Sequence, residues 1–241
     1  MNPLLKIKNV SKSFGGFTAL SSVNLEIAEG ERFGLIGPNG SGKTTLINCV
    51  SGALRNEAGA IEFDGENITG LPAYQRTRRG IARSFQIPRP FHSMTVAENL
   101  AVPLEYVAHK GSLRIADTRA EALELLKQMN LADKADTPSR NLSQVELRKL
   151  ELARAMAARP RLLISDEAMA GLSGSEVDEV LKILFELNNR GITIIMIEHI
   201  MQAVMRFSQR VVCLDAGRII CEGTPAGIVK DPEVQRAYLG A

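Results

Sequence analysis

Residues 37–45 read GPNGSGKTT, and this stretch decides the fold of the chain. It matches the phosphate-binding loop pattern GxxxxGK followed by Ser or Thr, with both glycines, the lysine and the threonine at the fixed positions. Residues 33–36 before it predict a short buried strand, and residues 45–50 after it predict a helix. An ordinary glycine-rich turn would need the glycines but not the lysine and threonine in register. The sequence therefore predicts a nucleoside triphosphate site.

The residue types of this loop suit phosphate. Glycines at 37, 40 and 42 allow φ > 0 and a close approach of the backbone, so consecutive N–H groups can point into one concavity. The helix that follows adds its positive N-terminal end, the lysine reaches the β and γ phosphates, and the threonine hydroxyl suits Mg²⁺. We expect Mg-ATP or Mg-GTP to bind to Gly37, Pro38, Asn39, Gly40, Ser41, Gly42, Lys43, Thr44 and Thr45.

The composition is that of a globular protein that stays inside the cell. The chain has 241 residues, of which 45% are hydrophobic, and a net charge of +2, which is too small to indicate nucleic-acid binding. Residues 1–13 lack the apolar core of a secretory signal, and the apolar stretch 192–197 is far shorter than the roughly 20 residues that span a bilayer. We expect a cytoplasmic protein with free buried thiols at Cys49, Cys213 and Cys221.

The patterns along the chain predict an α/β fold with two additions. Alternating apolar and polar residues at 5–10 and 23–27 predict an N-terminal antiparallel β subdomain. The apolar runs 161–167 and 192–197 predict buried strands of a mainly parallel core sheet, and 210–222 reads as a hairpin.

Apolar residues at helical spacing predict a helical insertion in the middle of the chain. We expect a single domain over 1–241, in which about 1–94 and 159–241 form the core and β layer and about 95–158 form the helical subdomain.

Two carboxylates and a histidine follow the predicted buried strands. Asp166 and Glu167 come at the carboxyl end of one strand, where ligands bind in open α/β sheets. Asp166 would hold Mg²⁺, and Glu167 would take a proton from the water that attacks the γ-phosphate. His199 follows the next strand in the same way and would face that phosphate. The alternatives are acids that cap the next turn and a structural histidine.

A proline-rich loop, QIPRPF, begins at Gln86 after a strand predicted at 81–85. Its prolines and the neighbouring Phe85 and Phe91 predict a rigid contact surface with a polar sensor, unless it is an ordinary connection. The surrounding arginines are expected to form a solvated or partner-facing surface rather than a nucleic-acid patch; they are Arg76, Arg78, Arg79, Arg83 and Arg89.

These motifs together resemble the ATP-binding-cassette ATPases over the whole chain. The resemblance rests on GPNGSGKTT, Gln86, LS at 142–143, LLISDE, AGLS at 170–173 and His199. The segments RSFQIPRPFHSMTVAENL, LRKLELARAMAARP and EGTPAGIVKDPEVQRAYLG are most similar to the ATPase subunits of bacterial branched-chain amino-acid importers, and the lipopolysaccharide-export ATPase ranks second.

The resemblance implies an ATPase that couples ATP hydrolysis to import of branched-chain or other hydrophobic amino acids or related amides. It implies that Phe14 stacks on adenine, that Gln86 binds Mg²⁺, senses the γ-phosphate and contacts the membrane partner, and that His199 is the switch histidine. The expected partners are permease subunits, a binding protein and a second ATPase subunit, whose nucleotide Ser143 would reach in a head-to-tail dimer at the inner face of the membrane.

The signature motif departs from the family pattern. LSGGQ, or LSYGQ in the amino-acid importers, is replaced by LSQVE at 142–146. Val145 replaces a glycine, and a β-branched residue would resist the special φ/ψ that glycine allows. Glu146 adds negative charge near the phosphate. We expect a weakened signature and pairing with a different ATPase whose signature is intact; the alternatives are a regulatory, weakly hydrolysing subunit and a soluble cassette protein acting on ribosomes or DNA.

Overall fold

The computed structural model describes residues 3–85, 87–108 and 115–239, and the strands within them form two sheets. The strands are β1 (Leu5–Phe14), β2 (Phe17–Ile27), β3 (Arg32–Ile36), β4 (Ala58–Phe63), β5 (Glu66–Asn67), β6 (Ile81–Ser84), β7 (Leu162–Asp166), β8 (Thr193–Ile197), β9 (Arg210–Asp215) and β10 (Arg218–Gly223). The α-helices are α1 (Lys43–Ser51), α2 (Ala73–Arg78), α3 (Val96–Pro103), α4 (Ile115–Gln128), α5 (Gln144–Ala157), α6 (Gly174–Asn189), α7 (Met201–Phe207), α8 (Pro225–Lys230) and α9 (Pro232–Leu239).

The larger sheet has the strand order β10-β9-β3-β8-β7-β6, and β10 alone runs antiparallel to its neighbour. Strands β7 and β8 are buried along their whole length, because both faces of the sheet are covered. The predicted α/β class with a mainly parallel core is confirmed.

This parallel sheet separates two apolar cores. On one face, Leu35, Ile164 and Ile195 pack with the β layer and α1. On the other face, Leu163 and Ile194 pack with apolar residues of the helices, including α5 and α6. Successive side chains of a strand point to opposite faces, so both faces of each central strand must be apolar. That requirement explains the unbroken apolar runs in the sequence.

The smaller sheet is the predicted antiparallel layer, in the order β2-β1-β4-β5. Its strands alternate: Leu5 and Ile7 are buried, whereas Lys8 on β1 pairs with Glu62 on β4 at 2.5 Å. The buried face packs against the parallel sheet and supplies most of the stabilisation, since half-exposed ion pairs contribute little.

The helical insertion consists of α3, α4 and α5, which pack against one another. Helix α3 begins with a capping box, in which the Thr95 hydroxyl accepts from the Glu98 N–H (3.2 Å) and the Glu98 carboxylate accepts from the Thr95 N–H (2.7 Å). The π-helical turn Leu104–Ala108 follows Pro103, where the proline interrupts regular α-helical bonding. The division of the chain near residues 95 and 158 stays a prediction.

The expectation that the arginines near the proline-rich loop are all on a surface is wrong for two of them, of which Arg76 is the clearer. Only 1% of Arg76 is exposed. Its guanidinium donates to four carbonyl oxygens, those of Cys49, Val50, Thr69 and Leu71. Two of these acceptors belong to the last turn of α1, whose carbonyls lack partners within the helix. Burial lowers the pKa of Arg76. No local pattern in the sequence predicts that this arginine is buried and donates to the end of α1.

The cysteines are free, as predicted, although only Cys49 and Cys213 are fully buried. Cys221 is half-buried and its thiol donates to Asp231 at 3.2 Å. Among the residues described, no three His, Cys, Asp or Glu side chains gather closely enough to hold a metal by themselves. Within the same residues, no helix has the length and apolarity needed to cross a membrane.

Candidate functional site

Three adjacent strands carry the predicted site to one edge of the parallel sheet. Strand β8 lies between β3 and β7, and Ile197 at its end pairs with Leu35 on one side and Asp166 on the other. The loops after the three strands therefore start at the same level. This alignment brings the phosphate loop, Glu167 and His199 together, as expected for the carboxyl edge of an open α/β sheet.

Two glycines of the phosphate loop are packed so closely against backbone that no side chain fits at either position. A Cβ on Gly37 would lie 2.1 Å from the carbonyl oxygen of Leu214, and one on Gly42 would lie 2.6 Å from that of Ala19. Gly42 is also the N-cap of α1, at φ 106°, and provides no side-chain cap. The first N–H groups of α1 are thus left for an anion. The Ser41 hydroxyl is buried and finds no partner among the residues described, which is a second sign that the loop is shaped for a ligand.

Lys43 is folded into this loop. Its Nζ atom donates to the carbonyl oxygens of Gly37 (2.6 Å) and Pro38 (3.0 Å). Burial lowers the pKa of Lys43, and the charges of Glu167 and Asp166 act in the opposite direction. The ammonium group lies where phosphate oxygens can replace the two carbonyls as acceptors.

Glu167 and His199 form a direct pair. The His199 Nε2 atom lies 2.7 Å from Oε1 of Glu167. Glu167 has the left-handed φ of 48°, and its N–H donates to the carbonyl oxygen of Ile197 at 2.8 Å. A left-handed non-glycine residue is uncommon and persists where its surroundings fix it. Here the bond to β8 fixes the backbone, and the carboxylate faces the cleft.

A cleft of about 330 Å³ opens over the loop. Phe14 and Phe17 both line it, and 50% and 61% of these residues are exposed, which leaves their rings accessible for stacking. The resemblance assigned adenine stacking to Phe14, with Phe17 close by in the sequence, and both rings face the same space. The other lining residues are Ala19, Asn39, Gly40, Ser41, Gly42, Lys43, Thr44, Thr45, Glu167 and His199.

Asp166 does not line this cleft, and the structure corrects the expected position of Arg83. Oδ2 of Asp166 accepts from Nη2 of Arg83 at 2.6 Å, and Nη1 of Arg83 donates to Asn48 at 2.6 Å. Both side chains of the ion pair are nearly buried, at 11% and 9% exposed. Arg83 is therefore part of the site's support rather than of an open surface, because β6 lies beside β7 in the sheet.

The oxygen donors present fit Mg²⁺. Thr44 is exposed within the cleft, and Asp166 ends the neighbouring strand β7, where its carboxylate is bound by Arg83. Mg²⁺ is usually bound by one or two protein oxygens, with the remainder supplied by phosphates and water. A sparse hydroxyl-and-carboxylate set matches that preference better than it matches a metal held by protein alone.

Gln86, predicted to sense the γ-phosphate and bind Mg²⁺, lies outside the described residues. Its neighbours do form a second cleft, of about 390 Å³, lined by residues that include Phe85, Phe91 and Tyr106. Part of this loop is fixed to α5, since Glu151 accepts from the Arg89 N–H at 2.7 Å. An apolar groove therefore lies beside the proline-rich loop, and Arg89 of that loop is fixed to α5.

Ser143 lies on the insertion, at the N-cap of α5, and is exposed there. Its hydroxyl accepts from the Glu146 N–H (3.4 Å), and its N–H donates to the Glu146 carboxylate (2.8 Å). This N–H lowers the pKa of Glu146, with a further contribution from Lys134. Val145 sits in the first turn of α5 without a positive φ, so the expected backbone strain is wrong. What distinguishes Val145 from glycine here is side-chain bulk.

Two residues of this region were not predicted from the sequence. Glu198 is 2% exposed and accepts from the N–H of Met169 at 2.9 Å; a carboxylate directly after an apolar run was the available signal. Tyr238 accepts from the N–H of Gly37 at 2.8 Å. No local signal marks Tyr238, which is 201 positions away in the chain.

A phosphate loop, a carboxylate after a neighbouring strand and a histidine after the strand between them define a P-loop ATPase. The chain belongs to the ABC transporter family, whose model matches residues 20–170, and it is a nucleotide-binding ATPase of that family. Residues 218–241 match a second model, described as branched-chain amino acid ATP-binding cassette transporter.

Relatives match over nearly the whole chain. The high-affinity branched-chain amino acid transport ATP-binding protein BraF of Pseudomonas aeruginosa is 36% identical, covering 99% of this chain and 98% of that protein. LivG of Escherichia coli, with the same description, is 38% identical with the same coverage. The lipopolysaccharide export system ATP-binding protein LptB of Haemophilus influenzae is 36% identical over 98% of this chain and 97% of its own length. The ADP conformation of MJ1267, an ATP-binding cassette of an ABC transporter, has a TM-score of 0.88 at 28% identity, covering 100% of both chains.

Proposed function

We propose that this chain is the ATP-binding subunit of an importer for branched-chain amino acids or related small hydrophobic amino acids and amides. One observation carries the proposal: an intact ATPase site in a chain whose last residues, 218–241, match the model for branched-chain amino acid cassettes. The description of that model, together with the relatives BraF and LivG, favours import over lipopolysaccharide export. The subunit would work in the cytoplasm, at the inner face of the membrane.

In the proposed mechanism the loop N–H groups and Lys43 bind the phosphates, and Phe14 stacks on adenine. Glu167 accepts a proton from the attacking water, and His199 orients that carboxylate through the 2.7 Å contact. Mg²⁺, held by Thr44 and Asp166, would neutralise charge on the phosphates. The low exposure of Glu167, at 15% of its side chain, supports its role as base, since a shielded carboxylate meets few competing waters.

The loop from Gln86 to Phe91 would transmit conformational changes at the nucleotide site to the permease. The apolar groove beside this loop suits a short amphipathic helix of a permease, because its exposed Phe85, Phe91 and Tyr106 offer apolar area with a polar rim. Gln86 would sense the γ-phosphate at one end of the loop that contacts the permease.

A head-to-tail dimer would place Ser143 of each subunit over the nucleotide of the other. In this chain the bulk of Val145 and the charge of Glu146 flank Ser143, which supports pairing with a different ATPase that carries an intact signature. The same observation favours a second candidate, a regulatory subunit that binds ATP but turns it over slowly.

The test is reconstitution in proteoliposomes with the permease and binding protein encoded beside this gene, with and without a second encoded ATPase. We expect ATP-dependent uptake of leucine, isoleucine or valine that requires the second ATPase and is lost with Glu167→Gln. ATP-dependent export of lipid A-type molecules, or no response to any apolar amino acid, would contradict the import proposal. Cooperative hydrolysis by the isolated homodimer at the rate of the full complex would contradict heterodimer pairing.

A further inference from the structure

The C-terminal helix α9 reaches the phosphate loop. The Tyr238 hydroxyl accepts a hydrogen bond from the N–H of Gly37 at 2.8 Å. Gly37 is the first residue of the loop, and Tyr238 lies near the end of the chain, within the segment matched by the C-terminal family model. Neither the motif nor the mechanism above accounts for this contact.

Helix α9 is held firmly enough to position the tyrosine. The Asp231 carboxylate accepts from the N–H groups of Glu233 (2.9 Å) and Val234 (3.2 Å) at the start of the helix, and from the Cys221 thiol of β10 (3.2 Å). Val234 is 4% exposed and belongs to the apolar core. Residues four apart share one face of a helix, so the burial of Val234 turns Tyr238 toward the sheet.

Both backbone polar groups of Gly37 form hydrogen bonds with side chains. Tyr238 accepts from its N–H, and Lys43 donates to its carbonyl oxygen at 2.6 Å. A Cβ here would collide with Leu214, so no side chain of residue 37 can anchor it. If the Lys43 ammonium turned to bound phosphates, its bond to the Gly37 carbonyl would be lost, whereas the bond from the Gly37 N–H to Tyr238 would remain. The tyrosine contact therefore matters more with nucleotide bound than without it.

We propose that Tyr238 is a positioning residue for the nucleotide site: its hydroxyl fixes the first peptide of the phosphate loop and thereby sets the affinity for ATP. The C-terminal segment is then a working part of the site and not only a structural tail. This inference rests on nucleotide binding at the loop. Tyr238 need not touch the nucleotide, because it acts through the Gly37 backbone.

The test is Tyr238→Phe in the full chain, which removes the acceptor and keeps the ring. We expect the Kd for ATP and the KM to rise roughly two- to tenfold, the range of one hydrogen bond between neutral groups, with kcat at saturating ATP unchanged. Amide exchange over residues 36–42 should increase in the nucleotide-bound state. The control is Tyr74→Phe, which removes an exposed hydroxyl that accepts from Gln75 on α2 and should leave every readout at the wild-type value.

An unchanged ATP affinity in Tyr238→Phe would overturn the inference. So would a lower Tm without nucleotide together with unchanged affinity, since that result assigns Tyr238 to packing of the tail. Failure of the wild-type chain to bind ATP would instead contradict the nucleotide site itself, and Tyr74→Phe would then fail equally.

Discussion

The imidazole Nε2 of His199 and the carboxylate Oε1 of Glu167 lie 2.7 Å apart, although 32 positions separate them in the chain. They meet because β7 and β8 are neighbours in register, and each residue follows the end of its strand. The Glu167 N–H donates to the carbonyl oxygen of Ile197. This bond connects the beginning of the loop after β7 to the end of β8. The sheet therefore positions the proposed base and its proposed orienting partner.

Replacing Glu167 with Gln should slow hydrolysis strongly but leave ATP binding intact. Gln keeps the size of the side chain and loses the proton acceptor, and general base catalysis contributes about 10²- to 10⁴-fold to a rate. Single-turnover phosphate release should fall by that factor, while the Kd for a fluorescent ATP analogue stays near the wild-type value. Glu186→Gln, an exposed position on α6, is the control. A loss of only a few fold would remove Glu167 from the role of base.

Removing Arg83 should destabilise the fold through Asp166. The carboxylate would stay nearly buried without its cation, and breaking such a pair costs about 3 kcal/mol or more. Arg83→Met should lower the free energy of unfolding in urea by that amount. The control is Arg79→Met, because the Arg79–Glu66 pair is exposed and such pairs are worth about 0–1 kcal/mol.

The double variant Arg83→Met with Asp166→Asn decides whether that cost comes from the pair. It should recover part of the lost stability, because the stranded charge is gone. Strictly additive losses from the two substitutions would show that the pair is not coupled.

Stability should fall with rising pH because of Glu198. Burial, with a smaller contribution from Glu167, raises its pKa from 4.5 to about 7, while the N–H groups of Met169 and His199 and the charge of Arg148 act in the opposite direction. Between these values the folded state keeps a proton that the unfolded state has lost, so the free energy of unfolding decreases as pH rises. From pH 5.5 to 8 the decrease is about 2 kcal/mol.

Glu198→Gln isolates that contribution, since Gln can still accept from Met169. We expect the urea-derived stability of the wild-type chain, relative to this variant, to drop between pH 5.5 and pH 8. A difference that stays constant across this range would show that Glu198 does not titrate there.

Restoring the signature should raise the activity of the homodimer. Val145→Gly with Glu146→Gln removes the bulk and the charge beside Ser143, and Gln still completes the capping box. We expect these changes to restore one charge-assisted hydrogen bond between the signature and the γ-phosphate of the partner's nucleotide. Such a bond is worth about 1.5–3 kcal/mol, so steady-state ATP hydrolysis should rise about tenfold or more. Glu146→Gln alone is the control for the charge. Equal rates for the restored and wild-type homodimers would place the limitation outside the signature.

Local patterns predicted most of the residues that the structure brings together at the phosphate loop. The loop, the buried strands and the acids at strand ends each depend on neighbouring residues, through glycine conformations and the two-residue period of a strand. The two last-turn carbonyls of α1 that accept from Arg76 lie 26 and 27 positions away in the sequence, so that role could not be predicted. The same holds for Arg83, whose partner Asp166 is 83 positions away.

The sequence by itself determined the fold class, the phosphate loop and the placing of Glu167 and His199 after neighbouring strands, because these follow from patterns a few residues long. Only the tertiary structure decided that Val145 is an ordinary helical residue, that Arg83 holds Asp166, and that Tyr238 supports Gly37. Such contacts form where distant elements pack together. Their energies depend on burial and on distances between atoms, and neither is encoded in the order of neighbouring residues.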